Sequence, residues 1–160
     1  MTTPLLSWTP DLSVGIDVID DQHKRIVQYI NELHEARLRN DRQVIGQVVD
    51  GLVEYTLSHF SFEESMMAEA GYSLLPVHKK VHQLFDRRIR EYQRLFAQGE
   101  DVATDLQGTL VKWLINHIKV EDNDYSAKVL ASIAEDKLKQ AAEMNAGGWG
   151  SALRGLFGNK

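Results

Sequence analysis

Four stretches of this chain repeat apolar residues at alternating steps of four and three, the period of a helix that buries one stripe of its surface. The first runs through Ile19, His23, Ile26, Ile30 and Leu33. The second runs through Leu52, Thr56, His59, Glu63 and Met66, with Ile45, Val48 and Val49 ahead of it. The third follows Pro76 and reads His78, His82, Phe85, Ile89, Tyr92, Phe96, and the fourth is Leu106, Leu110, Trp113, His117. Strand-like alternation and internal repeats are absent. Breakers separate the stretches: Asn40-Asp41, with Asp41 placed to cap a helix start; Gly71-Tyr72-Ser73, ahead of a proline that a first helical turn tolerates; and Gln98-Gly99-Glu100-Asp101, with Gly99 placed just past a helix end. Connections this short force neighbouring helices antiparallel. The expected fold is therefore all-α, an up-down-up-down antiparallel four-helix bundle.

Residues 1–126 are assigned to this bundle, including an extended N-terminal arm that carries Trp8, Pro10 and Gly15. Residues 127–160 are a C-terminal extension. It is expected to be helical over 126–146, with Ser132 and Glu135 at capping-box spacing, and to end at Gly147-Gly148 before a glycine-rich tail. In that tail Trp149, Leu153, Leu156 and Phe157 would share one face if helical, a surface for a protein partner or a membrane. Gly150, Gly155 and Gly158 weaken any helix there, so a disordered tail is the competing reading.

At 160 residues the chain fits one domain. It has no cysteine, which excludes disulfides, thiolate metal sites and cysteine nucleophiles. A net charge of −5 is a poor match to a phosphate backbone, so no nucleic-acid partner is expected. No apolar run approaches the ~18 residues that span a bilayer. The N-terminus lacks an export signal. A cytoplasmic protein, acting as a monomer, is expected.

The anomaly is where the histidines lie. Of six, five (His23, His59, His78, His82 and His117) take stripe positions where leucine or isoleucine belongs, and Glu63 does the same. Burying polar groups without partners costs a few kcal/mol each, out of a total stability of only ~5–15 kcal/mol. Spacing points to what satisfies them. His59 and Glu63 are four apart, as are His78 and His82, so each pair projects from one helix face. Asp122 follows His117 by five. Groups from four helices can thus converge on one volume in the bundle core, where such folds build metal sites. Five imidazoles and two carboxylates exceed one six-coordinate ion. Two octahedral metals sharing both carboxylates and one solvent-derived oxygen would fill eleven of twelve positions, leaving one open. Mixed imidazole and carboxylate ligation fits iron best, with manganese or zinc as alternatives.

These residues resemble the bacterial hemerythrins, di-iron oxygen-binding four-helix bundles. The resemblance runs from Trp8 to Tyr125. It rests on Asp20-Asp21-Gln22-His23, His59-Phe60-Ser61-Phe62-Glu63-Glu64, Gly71-Tyr72, His78-Lys79-Lys80-Val81-His82, Trp113-Leu114-Ile115-Asn116-His117-Ile118, Asp122 and Tyr125. It implies that His78, His82 and His117 hold one iron, that His23 and His59 hold the other, which keeps the open position, and that Glu63 and Asp122 bridge them. It implies reversible O2 binding for storage, delivery or sensing, with no enzymatic turnover. The alternative is a di-iron enzyme acting on O2, peroxide or nitric oxide. No Glu lies three before any His, which argues against the ferritin-like oxidases. Since no output domain is encoded, a carrier is favoured over a sensor.

Phe60, Trp113, Leu114 and Ile118 flank ligands and are candidates for the wall of the O2 pocket as well as for ordinary core. Residues five apart diverge by about 140° on a regular helix, so His117 and Asp122 require a widened, π-type turn or a helix end between them. His34 is read as a partly exposed helix residue, Glu64 as a solvated surface residue, and Met66 and Met67 as packing; for Tyr72 and Tyr125 packing is favoured over reaching a ligand group. Asp20 either accepts an imidazole N–H or serves as a helix N-terminal acid.

Overall fold

The computed structural model describes the backbone of residues 3–157 and the side chains as far as Met144. Four helices form the antiparallel bundle: α1 (Asp17–Leu38), α2 (Arg42–Glu69), α3 (Leu75–Ala97) and α4 (Ala103–Asn116). Helix α4 runs without interruption through a π-helical segment (His117–Asp122) into α5 (Asn123–Phe157). No strand occurs among the described residues. Helix α1 packs on α2 and α4, and α2 on α3. The apolar stripes meet along the bundle axis: Ile19, Ile26, Ile30 and Leu33 from α1, Leu52 from α2, Phe85 and Ile89 from α3, Leu106, Leu110 and Leu114 from α4 are all buried. Each such side chain contributes roughly 1.5–3 kcal/mol on leaving water.

The turns follow the local chemistry of the sequence. The Asp41 carboxylate accepts from the Val44 N–H at 3.1 Å and caps α2. Pro76 sits in the first turn of α3. Gly71 and Gly99 take positive φ (65° and 99°) just past the ends of α2 and α3, where a β-carbon would be strained.

The N-terminal arm is clipped to α1. Asn31 accepts from Leu6 N–H at 3.0 Å and donates to the Leu6 carbonyl at 2.8 Å. Asp20 accepts from the buried Val14 N–H at 2.9 Å and from the Ser13 hydroxyl at 2.5 Å. That settles the two readings of Asp20. It ties down the arm that precedes its own helix, and no imidazole is its partner.

The C-terminal extension departs from expectation in two ways. Ser132 lies inside a continuous helix and caps nothing, and the helix passes through Gly147-Gly148 as far as Phe157. A glycine costs a helix only about 1 kcal/mol, and no proline interrupts the run. Ser132, Ile133 and Asp136 still face Met66, Glu69 and Ala70 of α2; past Asp136 the helix has left the bundle, with Leu138 and Met144 more than two-thirds exposed. The face expected from Trp149, Leu153, Leu156 and Phe157 lies outside the residues whose side chains are described. No helix among the described residues is long and apolar enough to cross a membrane.

Candidate metal centre

Every element of the bundle delivers a polar group to the same depth of the core. His23 comes from α1, His59 and Glu63 from α2, His78 and His82 from α3, and His117 and Asp122 from the π segment; all seven are buried. The four-residue spacings do this through ordinary helical geometry. The five-residue spacing does it because the π segment widens the helix between His117 and Asp122. With i→i+5 bonding, the fifth residue takes the place the fourth holds in an α-helix.

The inward atoms sort into two sets. Ligand atoms of His78, His82, His117 and Glu63 lie within 4.8 Å of one another, as do those of His23, His59 and Glu63. Glu63 belongs to both. Its Oε2 is 3.5 Å from His59 Nε2, 3.4 Å from His82 Nε2 and 3.7 Å from His117 Nε2. Asp122 divides its oxygens. Oδ2 is 3.0 Å from His23 Nε2, while Oδ1 is 2.9 Å from His117 Nε2 and 3.6 Å from His78 Nε2. Metal–imidazole bonds of about 2.1 Å give octahedral ligand edges of about 3 Å, so these separations are those of atoms sharing a cation.

Hydrogen bonding tests that fit. His23 Nε2, His59 Nε2, His78 Nε2, Glu63 Oε2 and both Asp122 oxygens are buried, and none has a correctly aligned hydrogen-bond partner. His82 and His117 each donate their outer N–H, from Nδ1, so in the neutral rings both Nε2 atoms carry lone pairs. Yet these two atoms face each other at 3.3 Å. Lone pairs so placed repel unless a cation joins them. In the metal-free chain a proton serves. Burial disfavours charge on His117, but Asp122 beside it, with Glu121 and Glu63, raises its pKa well above the usual histidine range. Burial pushes His59 down to about 4 and also lowers His78. Burial would raise Glu63, but the imidazoles of His59, His117 and His82 hold it ionised, well below the usual carboxylate range. Asp122 is likewise lowered, by His117 and His23 against burial and the charge of Glu63. Once a metal displaces the proton that His117 holds, the set offers imidazole lone pairs beside ionised carboxylates, what a divalent metal requires.

Around this set lies a ring of partners that sequence reasoning mostly missed. His59 Nδ1 donates to Gln22 Oε1 at 2.7 Å, His82 Nδ1 to Glu64 Oε1 at 2.9 Å, and His117 Nδ1 to Glu121 Oε2 at 2.5 Å. Glu64, expected to be solvated, turns sideways along α2 and reaches the ring on α3. Tyr125, for which the sequence favours packing over reaching a ligand group, is fully buried and does reach one, donating its hydroxyl to Glu63 Oε1 at 2.7 Å. A signal was present: Gln22, Glu64 and Glu121 each adjoin a ligand in sequence, which aims them at the ring on the next helix or turn. His34 is half-buried and away from the cluster, and Met67 packs in the core.

The four candidate wall residues divide. Phe60 stacks on His82 with ring centroids 3.8 Å apart, and Trp113 stacks on His117 at 4.3 Å, so both rings lie against the three-histidine set. Leu114 and Ile118 are buried on either side of His117 in sequence.

Comparison with known proteins agrees with this geometry. Residues 14–129 match the family model of the hemerythrin HHE cation binding domain. The chain belongs to the hemerythrin family. It is 44% identical over 155 residues to a bacteriohemerythrin of Stenotrophomonas maltophilia (strain R551-3), covering 96% of this chain and 99% of that one. It is 47% identical over 154 residues to the bacteriohemerythrin of Pseudomonas aeruginosa (strain LESB58), covering 96% and 98%. Those two hemerythrin relatives share the C-terminal extension. A crystal structure of wild-type hemerythrin superposes with a TM-score of 0.75 at 31% identity, covering 78% of this chain and 98% of that one. The hemerythrin bundle is thus complete without the extension.

Proposed function

We propose that this chain binds O2 reversibly at a non-haem di-iron centre. His78, His82 and His117 hold one iron, His23 and His59 hold the other, and Glu63 and Asp122 span the pair. Six residues divided into two sets, with Glu63 in both and the oxygens of Asp122 turned to imidazoles of each, support this reading more than any other observation. When bound, the iron pair supplies the electrons and the open position that O2 needs. The protein's part is to hold five neutral imidazoles in place, to keep water out, and to keep acids away from the bound gas. Phe60 and Trp113 seal the three-histidine side, and Leu114 and Ile118 form the apolar wall of the gas pocket. The site lies wholly within residues 1–126, and 127–160 is an appendage. Storage or delivery in the cytoplasm, without catalytic turnover, is the role this chemistry serves, because an imidazole-rich pair favours holding O2 over oxidising a substrate.

The test is metal analysis with an optical spectrum, recorded before and after air is admitted to dithionite-reduced protein. Two irons per chain and a charge-transfer band that appears with air and vanishes under vacuum are expected. Iron-replete protein that is colourless and inert to air would overturn the reading.

A further inference from the structure

The two ligand sets are treated unequally by what stands behind them. In the three-histidine set, His82 and His117 both donate their outer N–H groups to carboxylates, Glu64 and Glu121. In the two-histidine set, His59 donates to the neutral amide of Gln22, and His23 Nδ1 is buried with no partner. Both anionic acceptors stand behind one set and none behind the other.

That difference is electronic as well as geometric. A carboxylate accepting the outer N–H of a ligating imidazole makes the ring a stronger donor than an amide does, and so favours the higher oxidation state of the metal. The two carboxylates are each only about a quarter exposed, 23% and 24%, so solvent screens them incompletely. They are not equivalent. The second oxygen of Glu64 lies 3.5 Å from Lys79, which offsets part of its charge. No lysine or arginine pairs with Glu121 among the described residues.

We propose that Glu64 and Glu121 are positioning residues that polarise the metal pair. They make the three-histidine iron the more readily oxidised and leave the two-histidine iron the more readily kept ferrous. This rests on the di-iron reading above. The asymmetry keeps the lower charge on the iron where the gas must enter and leave.

The test follows both one-electron couples of the iron-loaded full chain by spectroelectrochemistry, with iron content measured alongside. In the wild type the first electron enters the two-histidine iron and the second enters the three-histidine iron. E121Q therefore raises the second couple and leaves the first in place. A tenfold loss of preference for the ferric ion reads as a shift of about 59 mV for one electron. E64Q moves the same couple by less, because Lys79 already offsets that charge. Q22E lowers the first couple and leaves the second, so all three variants narrow the gap between couples. A merely structural role predicts no such split. Variants that retain both irons yet move neither couple, or move the wrong one, would overturn the proposal. If E121Q fails to hold iron, E64Q and Q22E still decide it. Wild-type protein that binds no iron would instead remove the di-iron reading beneath it.

Discussion

Replacing Tyr125 by phenylalanine removes one hydroxyl and leaves the ring. Tyr125 is fully buried, so the phenyl group keeps the volume filled and no water reaches the vacated position. What is lost is a 2.7 Å hydrogen bond donated to Glu63 Oε1. The nearest other polar atom recorded near that oxygen, His23 Nε2, is 3.8 Å away, too far to take over. Burial and the carboxylates of Glu63 and Asp122 push the Tyr125 phenol far up, so it remains a donor at any working pH. A hydrogen bond to an ionised group contributes about 1.5–3 kcal/mol. At roughly 2–4 °C per kcal/mol for a chain this long, a loss near 2 kcal/mol lowers the melting temperature of the iron-free protein by about 4–8 °C. In the loaded protein Glu63 is expected to bind both irons, and loss of such an outer partner weakens metal affinity by about 10–100-fold. The assays are thermal unfolding of the iron-free chain and the rate of iron loss to a ferrous chelator. A melting temperature within about 1 °C of wild type, with unchanged iron loss, would refute the claim that this bond secures the shared carboxylate.

Glu63→Gln should cost both irons together, since the two ligand sets share this residue; metal analysis reporting one retained iron would show that they are independent. Leu114→Ala or Ile118→Ala should speed autoxidation to the ferric form by opening the apolar wall to water, measured as decay of the oxygenated spectrum, and an unchanged lifetime would take them out of the pocket. Asp20→Ala leaves the buried Val14 N–H unsatisfied and should destabilise the chain by about 1–3 kcal/mol in urea unfolding without altering iron content. Loading iron should quench Trp113 fluorescence, because its ring stacks on His117, and stripping the metal under reducing conditions should restore it.

What could be read in the sequence follows from what a helix repeats. Stripe periodicity located the four bundle helices, and the polar residues that violate it located six of the seven convergent groups, because both are properties of one helix face; Asp122, off the stripe, came from its spacing to His117 and from the family resemblance. The partners behind the imidazoles depend on the register between helices, which periodicity does not carry. Glu64 faces away from the core stripe on α2, yet an imidazole exposes its Nδ1 edge towards the neighbouring helix, where that carboxylate waits. Tyr125 reads as a packing aromatic until the depth of Glu63 is known. The extension misled for the opposite reason. Gly147-Gly148 has the composition of a stop, but glycine only weakens a helix, and the run from α4 onward contains nothing that breaks it.

The π segment joins these two kinds of information. In an α-helix the position four after His117 would share its face, and that position is Glu121. The widening lets one imidazole meet two carboxylates, Asp122 at Nε2 and Glu121 at Nδ1. Deleting the exposed Val120 would place Asp122 four residues after His117, a spacing an ordinary helix serves equally well. The π turn should then relax to α with the inward ligands kept, while Glu121, now three residues on, swings away from Nδ1. The expected protein retains both irons and shows the same displacement of the second couple as E121Q. A deletion variant that loses its iron would mean that the widening is needed for the ligands themselves and not for the carboxylate behind them.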